Sequence, residues 1–236
     1  MSVDRTATGW GCVAAGGAAM VLLAWFVPGV ADALVLDRER ACSGELWRWF
    51  THPWVHFSAG HWVVDLACFL GLAWFADRVG IQAGWRWVVG AIAVSGLTGV
   101  SCLWLDPQLD GLAGLSGLNV AMAVWIGGAM WGKGERRLAS VLLAGLAIKL
   151  VGERLGVFGM VRFNQAGVEP SHLSHWMAGV CAIGLGFTGS GPERKCTCSS
   201  PEVEAVPYAG GVKAGSPGCE ATPGRRRFWN SNPGRG

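Results

Sequence analysis

Charge is scarce in this chain. Only 15% of its 236 residues are charged while 51% are hydrophobic, and the mean hydropathy is positive at +0.36. A soluble domain of this length rarely shows that balance, which excludes an ordinary water-soluble globule and implies a membrane protein. A disulfide framework is also lacking. Of the eight cysteines, Cys12, Cys68, Cys102 and Cys181 fall inside apolar stretches, where thiols behave as small apolar side chains, and Cys42 has no evident partner. Cys196-Thr197-Cys198 offers two thiolates without further ligands, so no metal is expected there. No internal repeat is present, which argues against a transporter built of duplicated halves. The formal charge of +3 is explained by loops and tail and implies no nucleic-acid partner.

What the chain does have is a series of apolar runs. Six approach the roughly 20 residues needed to cross a bilayer: 9–29, 59–76, 84–105, 115–131, 138–151 and 171–188. The first could be a secretory signal, with Arg5 ahead of it and Ala31-Asp32-Ala33 as a small-residue cleavage site. Its apolar run is longer than a signal core and more membrane follows, so a retained helix is expected. Short loops rich in Lys and Arg stay cytoplasmic. Arg5, Arg78, Arg86, Lys133, Arg136, Arg137 and the basic residues of the tail fall on one side; the other has Arg38, Arg40, Arg48, Arg154 and Arg162, with none in 106–112. Both termini are therefore expected in the cytoplasm and the 106–112 loop outside. Between the first two runs, Gly44-Glu45-Leu46-Trp47-Arg48-Trp49-Phe50 is rich in groups that favour the membrane interface, as an ordinary aromatic belt does. Past 189, Gly, Pro, Ser and charge dominate and Arg225-Arg226-Arg227 forms a basic run. The expected division is a six-helix membrane domain over 1–190 and a disordered cytoplasmic tail over 191–236.

Three features carry chemistry. In Gly114-Leu115-Ser116-Gly117, Ser116 stands at the expected start of the fourth helix. Unpaired N–H groups and partial positive charge at a helix start suit a developing oxyanion; the bland alternative is an N-capping serine. In His56-Phe57-Ser58-Ala59-Gly60-His61-Trp62-Val63-Val64-Asp65, His61 and Asp65 share a helical face near the outer end of the second run, where ionisable groups are costly and functional. An internally satisfied His–Asp pair is the competing account. Third, His172 and His175 open the last run and are the only histidines downstream of Ser116. From His175, small residues recur at Ala178, Ala182 and Gly186, a stripe that admits a close neighbour, and Gly117 and Ala121 match it on the fourth helix. His172 leads to His175, Gly179 and Ile183, a poorer stripe. His175 is the better candidate base for Ser116, with His172 the alternative.

With these features in this order, the sequence resembles the rhomboid family of intramembrane serine proteases over roughly 37–187. The likeness rests on Gly44-Glu45-Leu46-Trp47-Arg48-Trp49-Phe50-Thr51, the spaced His56 and His61, Gly114-Leu115-Ser116-Gly117, and a histidine followed by small residues in the sixth run. Asp37-Arg38 ahead of the tryptophan-rich segment is most similar to the bacterial rhombosortase branch, associated with processing of Gly-Gly-containing C-terminal sorting helices. The resemblance implies an all-α six-transmembrane-helix bundle in the bacterial inner membrane, cleaving transmembrane segments of membrane proteins. It implies Ser116 as nucleophile, His175 as general base, His61 and Asp65 as oxyanion support, and no metal or organic cofactor. The departure is Asp65, where rhomboids commonly place asparagine: an ionised carboxylate cannot donate to an oxyanion, so Asp65 is either kept neutral by burial or orients His61. The alternative function is an inactive rhomboid-like protein that binds transmembrane helices.

Overall fold

Six long helices carry the described part of the chain, which in this computed structural model comprises residues 9–157 and 172–186. In order they are α1 (Gly9–Phe26), α2 (Val30–Leu34), β1 (Leu36–Asp37), α3 (Arg38–Cys42), α4 (Arg48–Thr51) with a 3-10 turn at His52–Trp54, α5 (Ala59–Arg78), α6 (Trp85–Leu105), β2 (Gly111–Leu112), α7 (Ser116–Gly132), α8 (Arg136–Arg154) and α9 (His172–Gly184). The expected tail 191–236, with Cys196, Cys198 and the arginine run, lies outside the described residues, as do Arg5, Arg162 and residues 171, 187 and 188 of the last apolar run.

The protein is a mostly helical membrane protein, with α1, α5 and α6 long and apolar enough to cross a bilayer. Large apolar side chains such as Phe26, Trp74, Trp85, Trp104, Val141 and Ile183 point outward, an arrangement costly in water and natural in hydrocarbon. Helices in such a solvent associate through close packing rather than hydrophobic burial, and small residues make the contacts. A Cβ on Gly17 of α1 would stand 2.5 Å from the Phe69 ring of α5, and one on Gly127 of α7 would stand 2.7 Å from Leu143 of α8. Twelve of the 17 residues of α7 are buried, which makes it the central helix, packed by α5, α6, α8 and α9. α1 is tied in by Trp10, whose indole N–H donates to the Ile81 carbonyl at 2.7 Å. The five cysteines among the described residues are free; Cys102 is buried, whereas Cys12 and Cys68 are exposed rather than packed inside.

The 30–60 segment is a folded lobe rather than a plain interfacial belt. Arg48, 2% exposed, donates to the carbonyls of Asp32 (2.6 Å) and Val35 (2.8 Å) and pairs with Glu45 at 2.6 Å. Arg38 donates to the carbonyls of Leu103, Asp106 and Leu109, satisfying α6's last turn and the loop after it. β1 and β2 pair antiparallel, Leu36 opposite Leu112 and Asp37 opposite Gly111. These bonds hold the loop that leads into α7.

Candidate active site

Ser116 is placed by the backbone ahead of it. The Gly114 N–H donates to the His52 carbonyl at 3.2 Å, and Gly114 takes φ +111°, a conformation that L side chains rarely adopt. A Cβ there would lie 2.9 Å from His61 Cε1, so glycine is what lets this ring press against the loop. α7 then starts at Ser116, with Leu115 in the capping position and no side chain capping the first turn. Ser116 is thus the first residue of the helix and not its cap, which sets aside the bland alternative. Its Oγ has no hydrogen-bond partner among the described residues, and the first-turn N–H groups beside it receive no capping oxygen.

His61 and Asp65 are positioned by the start of α5. Ser58 adopts extended backbone and its hydroxyl accepts from the His61 N–H at 3.3 Å, so His61 sits in the first turn with Asp65 one turn on. Asp65 Oδ2 lies 3.1 Å from His61 Nε2 and 3.2 Å from His56 Nε2. His56 Nε2 also meets the Leu115 N–H at 3.3 Å. Asp65 is buried, and its backbone carbonyl accepts from Asn119 of α7 at 2.9 Å. Asp65 thus lies between two imidazoles that border Gly114 and Leu115, the two residues before Ser116, and His56 Nε2 either donates to the carboxylate or accepts from the Leu115 N–H. His56, to which the sequence reading gave no role, is part of this group.

α9 approaches α7 along the small residues. A Cβ on Gly117 would sit 3.5 Å from Ala178 Cβ and 3.6 Å from the Ser174 carbonyl. Ala178 and Ala182 are fully buried with Ala121 and Trp125, whose indole donates to the Ala182 carbonyl at 3.1 Å. His175, three residues before Ala178 on α9, is buried, whereas His172 is exposed. No hydrogen bond joins His175 to Ser116; its Nδ1 meets Glu153 Oε2 at 2.8 Å instead. Glu153 went unnoticed in the sequence because Lys149, four residues earlier, makes it read as half of a surface ion pair, and the two do meet at 2.5 Å. The available signal was topological: Glu153 follows the fifth apolar run on the side expected to hold Ser116.

A cavity of about 10 Å³ lies beneath, lined by His52, Thr98, Gly114, Gly117 and Ser174 among others, with room for one water-sized group. His52 Nδ1 and Thr98 Oγ1 are buried without hydrogen bonds. Burial pushes the His52 imidazole down to about 4 despite its contact with the Ser95 carbonyl. It is therefore neutral at neutral pH, a wall of the site rather than a charged group.

Among the described residues, His56, His61 and Asp65 are the set whose donor atoms, within 4.8 Å of one another, could hold a metal ion. Asp65 contacts both imidazoles through their Nε2 atoms, and His56 Nδ1 is buried without a hydrogen bond. No family model matches the chain, and a search of curated proteins finds no match.

Proposed function

We propose that this protein is an intramembrane serine protease acting on transmembrane segments, with Ser116 as nucleophile and His175 as base. The observation that carries the reading is an uncapped helix start bearing Ser116, pressed through Gly114 against His61 and Asp65 and packed at Gly117 by α9, the helix that carries the buried His175. The six-span arrangement, with both termini in the cytoplasm of a bacterium and the site at the outer face of its inner membrane, is part of the proposal. It is supported by the basic-residue distribution and by the gathering of the α5, α7 and α9 starts at one end.

The chemistry is acyl transfer. Ser116 Oγ attacks the scissile carbonyl carbon while its proton passes to His175 Nε2. The carbonyl oxygen becomes an oxyanion facing the first-turn N–H groups of α7, with His61, held by Asp65, beside it. Collapse breaks the C–N bond as His175 returns the proton to the leaving nitrogen. Water, deprotonated by His175, then attacks the acyl-enzyme and releases Ser116. Asp65, set between two imidazoles, serves as the orienting group rather than as a donor. The small cavity beside Gly114 and Gly117 favours substrates with small side chains at the cut, where a helix also unwinds readily. Processing of Gly-Gly-containing sorting helices fits that preference.

The test is labelling of the detergent-solubilised protein with a fluorophosphonate probe, comparing wild type with Ser116→Ala, His175→Ala and His172→Ala. Labelling that is lost with the first two and retained with the third is expected. Folded wild type that resists the probe at Ser116 would favour the helix-binding, non-cutting alternative; loss with His172→Ala alone would exchange the bases.

A further inference from the structure

The structure assigns Glu153 as the positioning residue of His175, making the site a serine–histidine–glutamate relay instead of a dyad. The kinetic part of this inference rests on the protease reading; the histidine–glutamate contact does not. Glu153 Oε2 stands 2.8 Å from His175 Nδ1, and both side chains are largely removed from solvent, 16% and 10% exposed. A carboxylate can only accept, so the proton of a neutral His175 resides on Nδ1 and its lone pair on Nε2. That is the tautomer a base for Ser116 requires. The second carboxylate oxygen is taken by Lys149 Nζ at 2.5 Å, which fixes the carboxylate from both sides.

The bond crosses between two helices otherwise in slight contact. α8 buries only Ala139, Leu150 and Gly152 along its length, and Glu153 is its reach toward α9. In a dyad, packing alone must hold the base. Here the stripe Ala178/Ala182 sets the height of α9 against α7, while Glu153 sets the rotation of the imaginary axis through the His175 ring nitrogens. A simple interhelical clamp would also place these atoms together, but it predicts a loss of stability on removal and no dependence of rate on the acceptor's chemistry.

The experiment uses the full chain in detergent, as wild type, Glu153→Gln and Glu153→Asp. Nitrogen-15 NMR of labelled histidine reads the His175 tautomer at neutral pH, fluorophosphonate labelling reads the Ser116 rate, and thermal unfolding reads stability. Wild-type His175 should be a single Nδ1–H tautomer. Glu153→Gln, which can turn its amide N–H toward the ring, should populate the other tautomer and slow labelling by on the order of 10²- to 10⁴-fold, with an unchanged unfolding temperature. Glu153→Asp should keep the Nδ1–H tautomer and label at an intermediate rate, and it carries the test if the glutamine variant does not fold. A mixed tautomer in wild type, or Glu153→Gln labelling at the wild-type rate, overturns the assignment. Absence of Ser116 labelling in wild type refutes the protease reading, and the tautomers still decide whether Glu153 orients His175.

Discussion

At Gly114 one missing methyl group shapes the site. Alanine there would meet φ +111° and a His61 carbon at 2.9 Å, and strain of that kind costs about 1–3 kcal/mol. Relief requires either the loop or the ring to move, and both border Ser116. Gly114→Ala should therefore slow fluorophosphonate labelling about tenfold or more, since each 1.4 kcal/mol is a decade of rate; labelling at the wild-type rate would show that this loop does not shape the site. Asp65 gives a second test. Asparagine keeps an acceptor for one imidazole and loses the charge that serves both, a difference of about 1–1.5 kcal/mol for one hydrogen bond. Asp65→Asn should label roughly tenfold more slowly while remaining folded, because Asn119 grips the backbone carbonyl and not the carboxylate. Undiminished labelling would mean that ionisation at this position is unimportant. Spacing along one helix suffices to read the His61–Asp65 pair, one turn apart, and the small residues that follow His175. His56 and Glu153 were not readable as contacts, because a loop reversal brings His56 back over Asp65 and a helix-to-helix crossing joins Glu153 to His175.

Elements differ in what their tight contacts can yield. A Cβ on Gly96 of α6 would stand 2.6 Å from Phe50 Cε1, and one on Gly111 of β2 would stand 2.5 Å from the Leu36 carbonyl oxygen. The distances are alike, yet Phe50 is 43% exposed and can swing its ring outward, whereas the Leu36 carbonyl belongs to the β1–β2 pair and cannot move without parting the strands. Gly96→Ala should thus leave the unfolding temperature nearly unchanged. Gly111→Ala should lower it by the effect of overpacking, about 1–3 kcal/mol, and should slow Ser116 labelling because the strand pair leads straight into Gly114. An equal drop for both variants would contradict a rigid strap. The apolar runs coincide with the six long helices, of which α1, α5 and α6 are long and apolar enough to cross a bilayer. The lobe over 30–60 escaped, because its short helices and two-residue strands are held by Arg38 and Arg48 reaching distant carbonyls, a pattern with no period to read.

For the whole molecule the basic residues make a claim about sidedness that cysteine chemistry can check. A charged maleimide stays in water and does not cross a bilayer, so it reports which thiols face which compartment. Cys42 lies exposed at the end of α3, in the lobe that the charge pattern puts outside, while Cys198 belongs to the basic tail assigned to the cytoplasm. Cys12 and Cys68 are exposed as well, but on α1 and α5, two helices apolar enough to lie in hydrocarbon. Four variants, each retaining a single cysteine, therefore separate exposure to water from exposure to lipid. In intact spheroplasts the variant with Cys42 should react, the variant with Cys198 should react only after permeabilisation, and those with Cys12 or Cys68 should stay unlabelled until the membrane is dissolved and the chain unfolded. Reversal of Cys42 and Cys198 would turn the molecule over and place Ser116 at the cytoplasmic face, because the start of α7 is bound to the same lobe through Leu36–Leu112 and His52–Gly114. The proposed protease chemistry would survive that reversal, but its substrates would then have to present their cut site from the cytoplasm, which excludes any sorting helix processed from outside.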